Sequence, residues 1–282
     1  MLASTDSARR WKYSGVLPKI FAFTAISCPS VQICVAVGFN LAGRVAVTTD
    51  GGARWTVPDV PAGSSGLLND VACPTAHVCY AAGYSGQTET QAVLLASAGS
   101  GGKWRRLRLP SGIADLTGIA CPSASACLAA GDSSSTGVVL STTDAGRTWR
   151  AKPVPGTSGL SGIACPSVAV CYITGSTGNG DSAVLSTSNS GRTWTGEPIP
   201  AGIANVGNPA CPTVFTCYVA GFNDSLSAGR ILSTSNAGRS WGLQTLPPHI
   251  SSVSAITCTS ARACLAVGEG EGVVGAVILR SP

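Results

Sequence analysis

Short alternations of apolar and polar residues run along the whole chain and predict strands throughout. Residues 116–154 show the pattern clearly, in the segments LTGIAC (116–121), ACLAAG (126–131), GVVLST (137–142) and TWRAKPV (148–154). Each segment has apolar or small residues at period two and is bounded by Gly, Ser, Asp or Pro, which is typical of short strands. Nothing between them has the length or the pattern of a helix. These residues therefore predict four antiparallel strands, which we name a to d in chain order.

The four-strand unit recurs six times. The first cysteine of a C-x5-C pair stands at positions 28, 73, 121, 165, 211 and 258, so successive repeats are 44 to 48 residues apart. A second marker, eight residues that end in Trp, has the same period at 4–11, 48–55, 97–104, 142–149, 187–194 and 234–241. Periods of this length are typical of propellers and arrays. The sequence predicts an all-β fold, a six-bladed β-propeller of four-stranded antiparallel blades.

The two ends of the chain predict how such a ring would close. Residues 1–18 contain one eight-residue marker and a strand d, whereas residues 253–282 contain strands a, b and c. We expect the N-terminal strand to complete the C-terminal blade, so that residues 1–282 form a single propeller domain with repeats of about 46 residues. A closed ring leaves no unpaired strand edges.

The eight-residue marker resembles the Asp-box, or BNR repeat, S/T-x-D-x-G-x-T-W, and TTDAGRTW at 142–149 matches it at every position. The resemblance covers the whole chain and implies the Asp-box propellers, a group that includes sialidases, xyloglucan-cleaving glycosidases, sortilin-type receptors and photosystem II assembly factors. In that group the box is a structural turn between strands c and d. Gly99 replaces the Asp in the third box, at 97–104, which predicts a looser turn there. The other box positions are Asp6, Trp11, Asp50, Trp55, Trp104, Asp144, Trp149, Asn189, Trp194, Asn236 and Trp241.

All twelve cysteines belong to the six C-x5-C pairs. Each pair flanks the turn between strands a and b, and opposed residues of an antiparallel hairpin are close enough for a disulfide. A zinc site would need four converging ligands, and no C-x-x-C redox motif is present; reduced buried cysteines are the alternative. Six disulfides would indicate an extracellular, periplasmic or cell-surface location. The expected pairs are Cys28–Cys34, Cys73–Cys79, Cys121–Cys127, Cys165–Cys171, Cys211–Cys217 and Cys258–Cys264.

Composition and charge exclude several function classes. Charged residues make up 11% of the chain and the net charge is only +5. The one basic cluster, at 103–108, is too short for the basic stripe of a nucleic-acid binder. No apolar run approaches the ~20 residues of a membrane span. We expect no cofactor and no metal, since GNGDS (178–182) is a weak calcium signal. We also expect a monomer or a part of a longer polypeptide.

The b–c and d–a loops vary between repeats and share one end of each predicted blade. Variable loops on a rigid scaffold are where binding residues usually lie. Acidic residues concentrate there, which predicts an acidic face for hydroxyl-rich or cationic ligands; an ordinary polar surface is the alternative. Asp70 and Asn208 stand where the other repeats have Ala or Gly, and each would bind a ligand or a water. The candidate ligand-binding residues are Asp70, Asp115, Asp132, Asp181, Asn208, Asp224, Glu269, Glu271 and Tyr84.

Three functional hypotheses follow. The leading one is a secreted or cell-surface module that binds a glycan or a protein through this face. The second is a glycoside hydrolase or lyase whose paired carboxylates come from Asp70, Asp115 and Asp132. The third is a structural extracellular domain of a larger surface protein. Whether the protein is an enzyme stays open. The chain has only two histidines from which a Ser-His-Asp triad could be built.

Overall fold

The computed structural model describes residues 2–3, 12–13, 17, 19–64, 66–86, 91–223, 228–270 and 276–280. Within these ranges every regular element is a β-strand. The same ranges contain no helix of the length and apolarity that crossing a membrane requires. The predicted all-β fold of repeated antiparallel sheets is therefore confirmed.

The strands form one short N-terminal ribbon and six antiparallel sheets, which we number 1 to 6 in chain order. The ribbon pairs β1 (Leu2–Ala3) with β2 (Lys12–Tyr13). Sheet 1 contains β3 (Ala22–Ser27), β4 (Cys34–Phe39) and β5 (Gly43–Thr48); sheet 2 contains β6 (Leu68–Thr75), β7 (Val78–Ser85), β8 (Gln91–Ala98) and β9 (Lys103–Arg106); sheet 3 contains β10 (Asp115–Ala120), β11 (Cys127–Asp132), β12 (Gly137–Thr142) and β13 (Arg150–Pro153). Sheet 4 contains β14 (Thr157–Ala164), β15 (Cys171–Thr177), β16 (Ser182–Thr187) and β17 (Thr195–Gly196); sheet 5 contains β18 (Ile203–Ala204), β19 (Pro209–Ala210), β20 (Cys217–Asn223), β21 (Gly229–Thr234) and β22 (Gly242–Leu243); sheet 6 contains β23 (Ile250–Ser260), β24 (Ala263–Gly270) and β25 (Ala276–Arg280).

Sheets 2, 3 and 4 have the four consecutive strands that the sequence predicts, and two other sheets are less regular. In sheet 5 the strand that should come first is split into β18 and β19, because Asn205 between them has a left-handed backbone (φ 51°). In sheet 1 the fourth strand is reduced to one bridge between Val47 and Thr56. Proline follows at positions 58 and 61, and it has no N–H to extend a ladder.

The chain divides into two compact units, and the division passes through sheet 3. The first unit comprises residues 1–127 and 142–150, and the second comprises 128–141 and 151–282. A single ring of six blades, closed by the N-terminal strand, stays a prediction.

The core of the first unit lies between sheets 1 and 2. Side chains alternate between the two faces of a strand, so valines at every second position of β4 and β5 project together toward sheet 2. The resulting buried cluster consists of Val35, Val37, Val45, Val47, Leu68, Val71, Cys79, Ala81, Val93, Leu95 and Trp104.

In the second unit both faces of sheet 5 are buried. Val219 and Leu232 on one face belong to a cluster with Tyr172 of sheet 4. Ala220 and Ile231, one residue along each strand, belong to a second cluster with sheet 6. Burial on both faces explains why β20 and β21 are short apolar runs rather than strict alternations.

Each sheet carries one disulfide, which closes the hairpin that leads into β4, β7, β11, β15, β20 or β24. All six expected pairs are present, with Cα atoms 4.0 or 4.1 Å apart, and the described residues include no free cysteine. The bridges indicate an oxidising, extracellular-type environment.

The turns that contain the eight-residue marker share one hydrogen-bonding pattern. In the first described turn, Thr48 donates to the Asp50 carboxylate (2.8 Å), which accepts the Arg54 N–H (2.9 Å), and the Gly52 N–H donates to Thr48. Equivalent bonds are formed around Asp144, Asn189 and Asn236, so an Asn amide oxygen replaces the carboxylate without loss of the turn. At the third box, 97–104, Gly99 offers no side chain for these bonds. Asp6 and Trp11 lie outside the described residues.

Two of the box tryptophans, Trp149 and Trp241, contact a tyrosine of the preceding sheet. Trp104, Trp149 and Trp241 are buried, and Trp55 and Trp194 are partly buried. Trp149 meets Tyr80 edge to face, with ring centroids 6.1 Å apart. Gly146 in the same turn has φ 74°, and a Cβ there would lie 2.7 Å from Cε1 of Tyr80. The turn needs glycine at this position for both reasons.

Candidate ligand-binding site

Each regular sheet has two different ends. The disulfide hairpin and the turn with the eight-residue marker lie at one end, which we call the hairpin end. The loop between the second and third strands, and the connection from the preceding sheet, lie at the other, which we call the loop end. This division follows from the antiparallel strand order. The loop end is where the sequence predicts a binding site.

Asp115 is held by a neighbouring sheet. The Asn69 amide of sheet 2 donates to both carboxylate oxygens of Asp115, at 3.0 and 3.3 Å, and to the carbonyl of Leu116 at 2.9 Å. Asp115 begins the first strand of sheet 3, so this contact joins the first strands of two sheets. Its position supports a structural role.

Asp70 makes a second link between the same two strands. One carboxylate oxygen accepts the N–H of Val71 and the other accepts the N–H of Ile119, both at 2.8 Å. Burial raises the pKa of Asp70 from 3.8 to about 6, and the two hydrogen bonds offset only part of that effect. That a water or a ligand also lies beside Asp70 stays a prediction; the structure shows that its two oxygens accept main-chain N–H groups of sheets 2 and 3.

Asp132 has an equivalent role in the second unit. It ends β11, and its carboxylate accepts the N–H of Leu160 in sheet 4 at 2.8 Å. Burial raises its pKa, and this hydrogen bond partly offsets the increase. Asp70, Asp115 and Asp132 are thus each engaged in joining one sheet to the next.

Asn208, in the second unit, lies between β18 and β19 and is exposed. Its amide oxygen covers the site that a side chain at Gly162 of sheet 4 would occupy. The glycine that the sequence shows at the equivalent position of sheet 4 is therefore a consequence of Asn208 in sheet 5.

The remaining candidate residues are dispersed. Asp181 is exposed in the tight loop before β16, where Thr177 accepts its N–H. Glu269 is exposed on β24. Tyr84 lies within β7 and is partly buried, which corrects the expectation that it is a loop residue. Asp224 and Glu271 lie outside the described residues.

A pocket of about 250 Å³ lies at the loop end of sheet 1. Its described lining consists of Lys19, Asn40, Arg44, Val57, Pro58 and Asp59. Thr56 pairs with Val47 through two main-chain hydrogen bonds of 2.8 and 2.9 Å. Counting along that antiparallel register places Asp59 level with Arg44. The pocket thus combines two cations, one carboxylate, one amide and two apolar walls, and the loop end of sheet 1 is more basic than the sequence predicts.

Arg44 is the central polar group of this pocket. It is partly buried, and its Nε is buried without a hydrogen-bond partner among the described residues. A buried guanidinium N–H without an acceptor is unfavourable by about 1–3 kcal/mol. The planar guanidinium binds carboxylates and phosphates in a fork geometry, so an anionic ligand in the pocket would meet the terminal N–H groups of Arg44.

The loop beside the pocket is tight and strained. The Asn40 N–H donates to the Ala42 carbonyl at 2.9 Å. Leu41 between them has φ 58° and is 95% exposed. A leucine in the left-handed region is unfavourable by about 1–2 kcal/mol. The loop therefore holds an apolar side chain in solvent next to the two cations.

Sequence reasoning missed both cations, although a signal for one of them exists. Arg44 follows a glycine at the start of the third strand, and Arg230 does so in sheet 5, whereas Val93, Val138 and Ala183 occupy that position elsewhere. An arginine at a position that holds Ala or Val in three other repeats is a signal that the sequence itself contains. Lys19 has no repeat-based signal.

The described side chains show no cluster of three His, Cys, Asp or Glu residues placed to hold a metal ion. Glu197, which the sequence did not single out, has its pKa raised by burial and accepts a hydrogen bond from Ser186. It is therefore engaged within its own sheet.

No protein-family model and no curated protein matches the chain. Among solved structures, the GH74 xyloglucanase from Xanthomonas campestris is similar over 96% of this chain, with a TM-score of 0.71 and 15% identity. This chain spans only 45% of the xyloglucanase. At that identity the likeness shows the fold alone, and the fold it supports is of the β-propeller class.

Two structures of YCF48 are also similar. One is YCF48 bound to D1 peptide, with 16% identity over 94% of both chains. The other is YCF48 from Cyanidioschyzon merolae, with 14% identity over 94% of this chain and 97% of that one. Both have a TM-score of 0.48.

Proposed function

We propose that the chain is a binding module of an oxidising compartment, secreted or at a cell surface, that recognises a glycan or a protein through the loop end of sheet 1. The pocket beside the Asn40–Ala42 loop carries this proposal, because it presents charged and polar side chains next to an exposed apolar side chain. Convergent polar groups in a concave site are what small-ligand recognition requires.

The hydrogen bonds of the candidate catalytic carboxylates favour binding over catalysis. A glycosidase places two carboxyl groups on either side of the scissile bond, about 5 to 9.5 Å apart. Here both oxygens of Asp70 accept main-chain N–H groups, and both oxygens of Asp115 accept the Asn69 amide. These contacts hold strands together.

Two exposed residues of sheet 1 provide a test of where binding occurs. Leu41 at the loop end and Val31 at the hairpin end are 95% and 87% exposed. Asn tolerates a left-handed backbone, so Leu41→Asn should keep the loop conformation, and Val31→Asn is the matched control. Partial burial of Leu41 by a ligand contributes about 1 kcal/mol, so Leu41→Asn should weaken binding by about 5-fold while Val31→Asn has little effect.

The assay is an array of glycans and peptides, with release of reducing sugar measured in parallel. Binding without turnover that depends on Leu41 supports the proposal. Binding that is lost in Val31→Asn and kept in Leu41→Asn would move the site to the hairpin end. Sugar release that disappears in Asp70→Asn or Asp115→Asn would favour the hydrolase. Neither binding nor turnover would favour the structural domain.

A further inference from the structure

The pocket of sheet 1 combines groups that suit one particular ligand chemistry. Lys19 and Arg44 are cationic, and Asp59 is the one anion among the described lining residues. The net charge of these three side chains is therefore +1. A bound group with one carboxylate would neutralise this net charge.

The other lining residues indicate which chemical groups of the ligand would surround that carboxylate. Asn40 and Asp59 offer an amide and a carboxylate, which bind hydroxyl groups well. Val57 and Pro58 form an apolar wall. A volume of about 250 Å³ is below the range of pockets for drug-sized ligands, so it suits one ring rather than an extended molecule.

We propose that this pocket binds one uronic acid residue of an acidic polysaccharide. Arg44, assisted by Lys19, binds the sugar carboxylate. Asn40 and Asp59 bind ring hydroxyls, and the C–H face of the ring lies against Val57 and Pro58. This inference rests on the proposed binding function and specifies its ligand.

An acidic peptide fits the same lining less well. A Glu or Asp side chain would satisfy Arg44 and Lys19 but brings no hydroxyl groups to Asn40 and Asp59. A peptide main chain would offer Asp59 one N–H donor per residue, whereas a sugar ring offers several hydroxyl groups. The polar groups opposite the cations thus favour a sugar acid.

The ligand itself provides the first test. Calorimetric titration of the whole chain with oligogalacturonate should show binding, and the fully methyl-esterified oligomer should bind at least about 10-fold more weakly, because the ester removes a charge-assisted hydrogen bond. Equal binding of the ester would overturn the inference. A polyglutamate peptide that binds as tightly as the oligouronate would overturn it in favour of an acidic protein partner.

Variants of Arg44 provide the second test. Arg44→Gln should weaken oligogalacturonate binding by about 10- to 100-fold, and Lys19→Gln, which removes an exposed charge, by about 2- to 5-fold. Arg230→Gln is the matched control, since Arg230 occupies the same strand position in sheet 5 and donates to the Gly229 carbonyl. Unchanged binding in Arg44→Gln, or equal losses in Arg44→Gln and Arg230→Gln, would contradict the assignment.

The outcomes separate this inference from the proposed function. If the wild-type protein does not bind oligouronates but binds another glycan or peptide in a way that depends on Leu41, only the uronic acid assignment fails. If it binds nothing on the array, both fail. Circular dichroism of every variant checks that the sheets are intact.

Discussion

Asp70 should make the stability of the fold depend on pH between about 4 and 7. Its pKa is raised from 3.8 to about 6 because burial removes water from the carboxylate, and the N–H groups of Ile119 and Val71 compensate only in part. The folded protein therefore keeps this proton at pH values where the unfolded chain has released it. The stabilisation is fully present below pH 3.8 and is lost as the pH rises through about 6.

The magnitude follows from the two pKa values. One pKa unit corresponds to about 1.4 kcal/mol, so the interval from 3.8 to about 6 corresponds to about 3 kcal/mol. Asp70 retains some solvent contact, and solvent screening lowers the effective figure. We expect Asp70 to contribute about 1 to 3 kcal/mol of additional unfolding free energy at pH 4 relative to pH 7.

The measurement is urea unfolding with the disulfides intact, followed by tryptophan fluorescence at several pH values between 4 and 7. Other carboxylates also titrate in this range, so the informative quantity is the difference between wild type and Asp70→Asn at each pH. Lowering the pH should stabilise wild type relative to Asp70→Asn. Asp181→Asn is the control, because it removes one exposed carboxylate and should leave the pH dependence of wild type almost unchanged.

Two outcomes would refute this reasoning. The first is a pH dependence that is the same in wild type and Asp70→Asn, which would mean that the carboxylate is hydrated in the folded state. The second is a difference of opposite sign, with wild type losing stability as the pH falls. That result would mean that the two main-chain hydrogen bonds outweigh the effect of burial.

The other predictions concern the scaffold. A thiol reagent under denaturing, non-reducing conditions should find less than about one free thiol per chain, and each bridge should contribute about 2 kcal/mol for its seven-residue loop; about twelve free thiols would contradict the disulfides. Gly146→Ala should lower the unfolding free energy by about 2 to 4 kcal/mol, because its Cβ meets Tyr80 in a left-handed turn. Gly112→Ala, with φ 82° and no atom within 4 Å of its Cβ, should lower it by only about 1 kcal/mol; equal losses would rule out the contact with Tyr80.

The sequence predicts the strands and the disulfides well because both depend on short distances along the chain. Period-two alternation within 116–154 anticipates β10 to β13, and each cysteine pair spans one tight hairpin. Sheet 5 departs from the pattern because the left-handed Asn205 interrupts its first strand. Nothing in the repeat period signals that interruption.

The sequence says less about the contacts of the candidate site, because these join residues that are distant in sequence. The sequence predicts that Asp70 and Asp115 face a ligand, and the structure adds that Ile119 and Asn69 engage them across a sheet boundary. A polar residue at an unusual repeat position is visible in the sequence, whereas its hydrogen-bond partner is chosen by the packing of one sheet on another.

The amino-acid sequence by itself determined the repeated four-strand unit, the pairing of the cysteines and the oxidising environment, since these follow from local periodicity and hairpin geometry. Only the tertiary structure decided which polar groups are already engaged and which remain available. Asp59, Arg44 and Lys19 line one pocket, and the buried Arg44 Nε has no acceptor among the described residues. The physical reason is that hydrogen-bond satisfaction depends on distances between strands, which the order of residues along one strand does not specify.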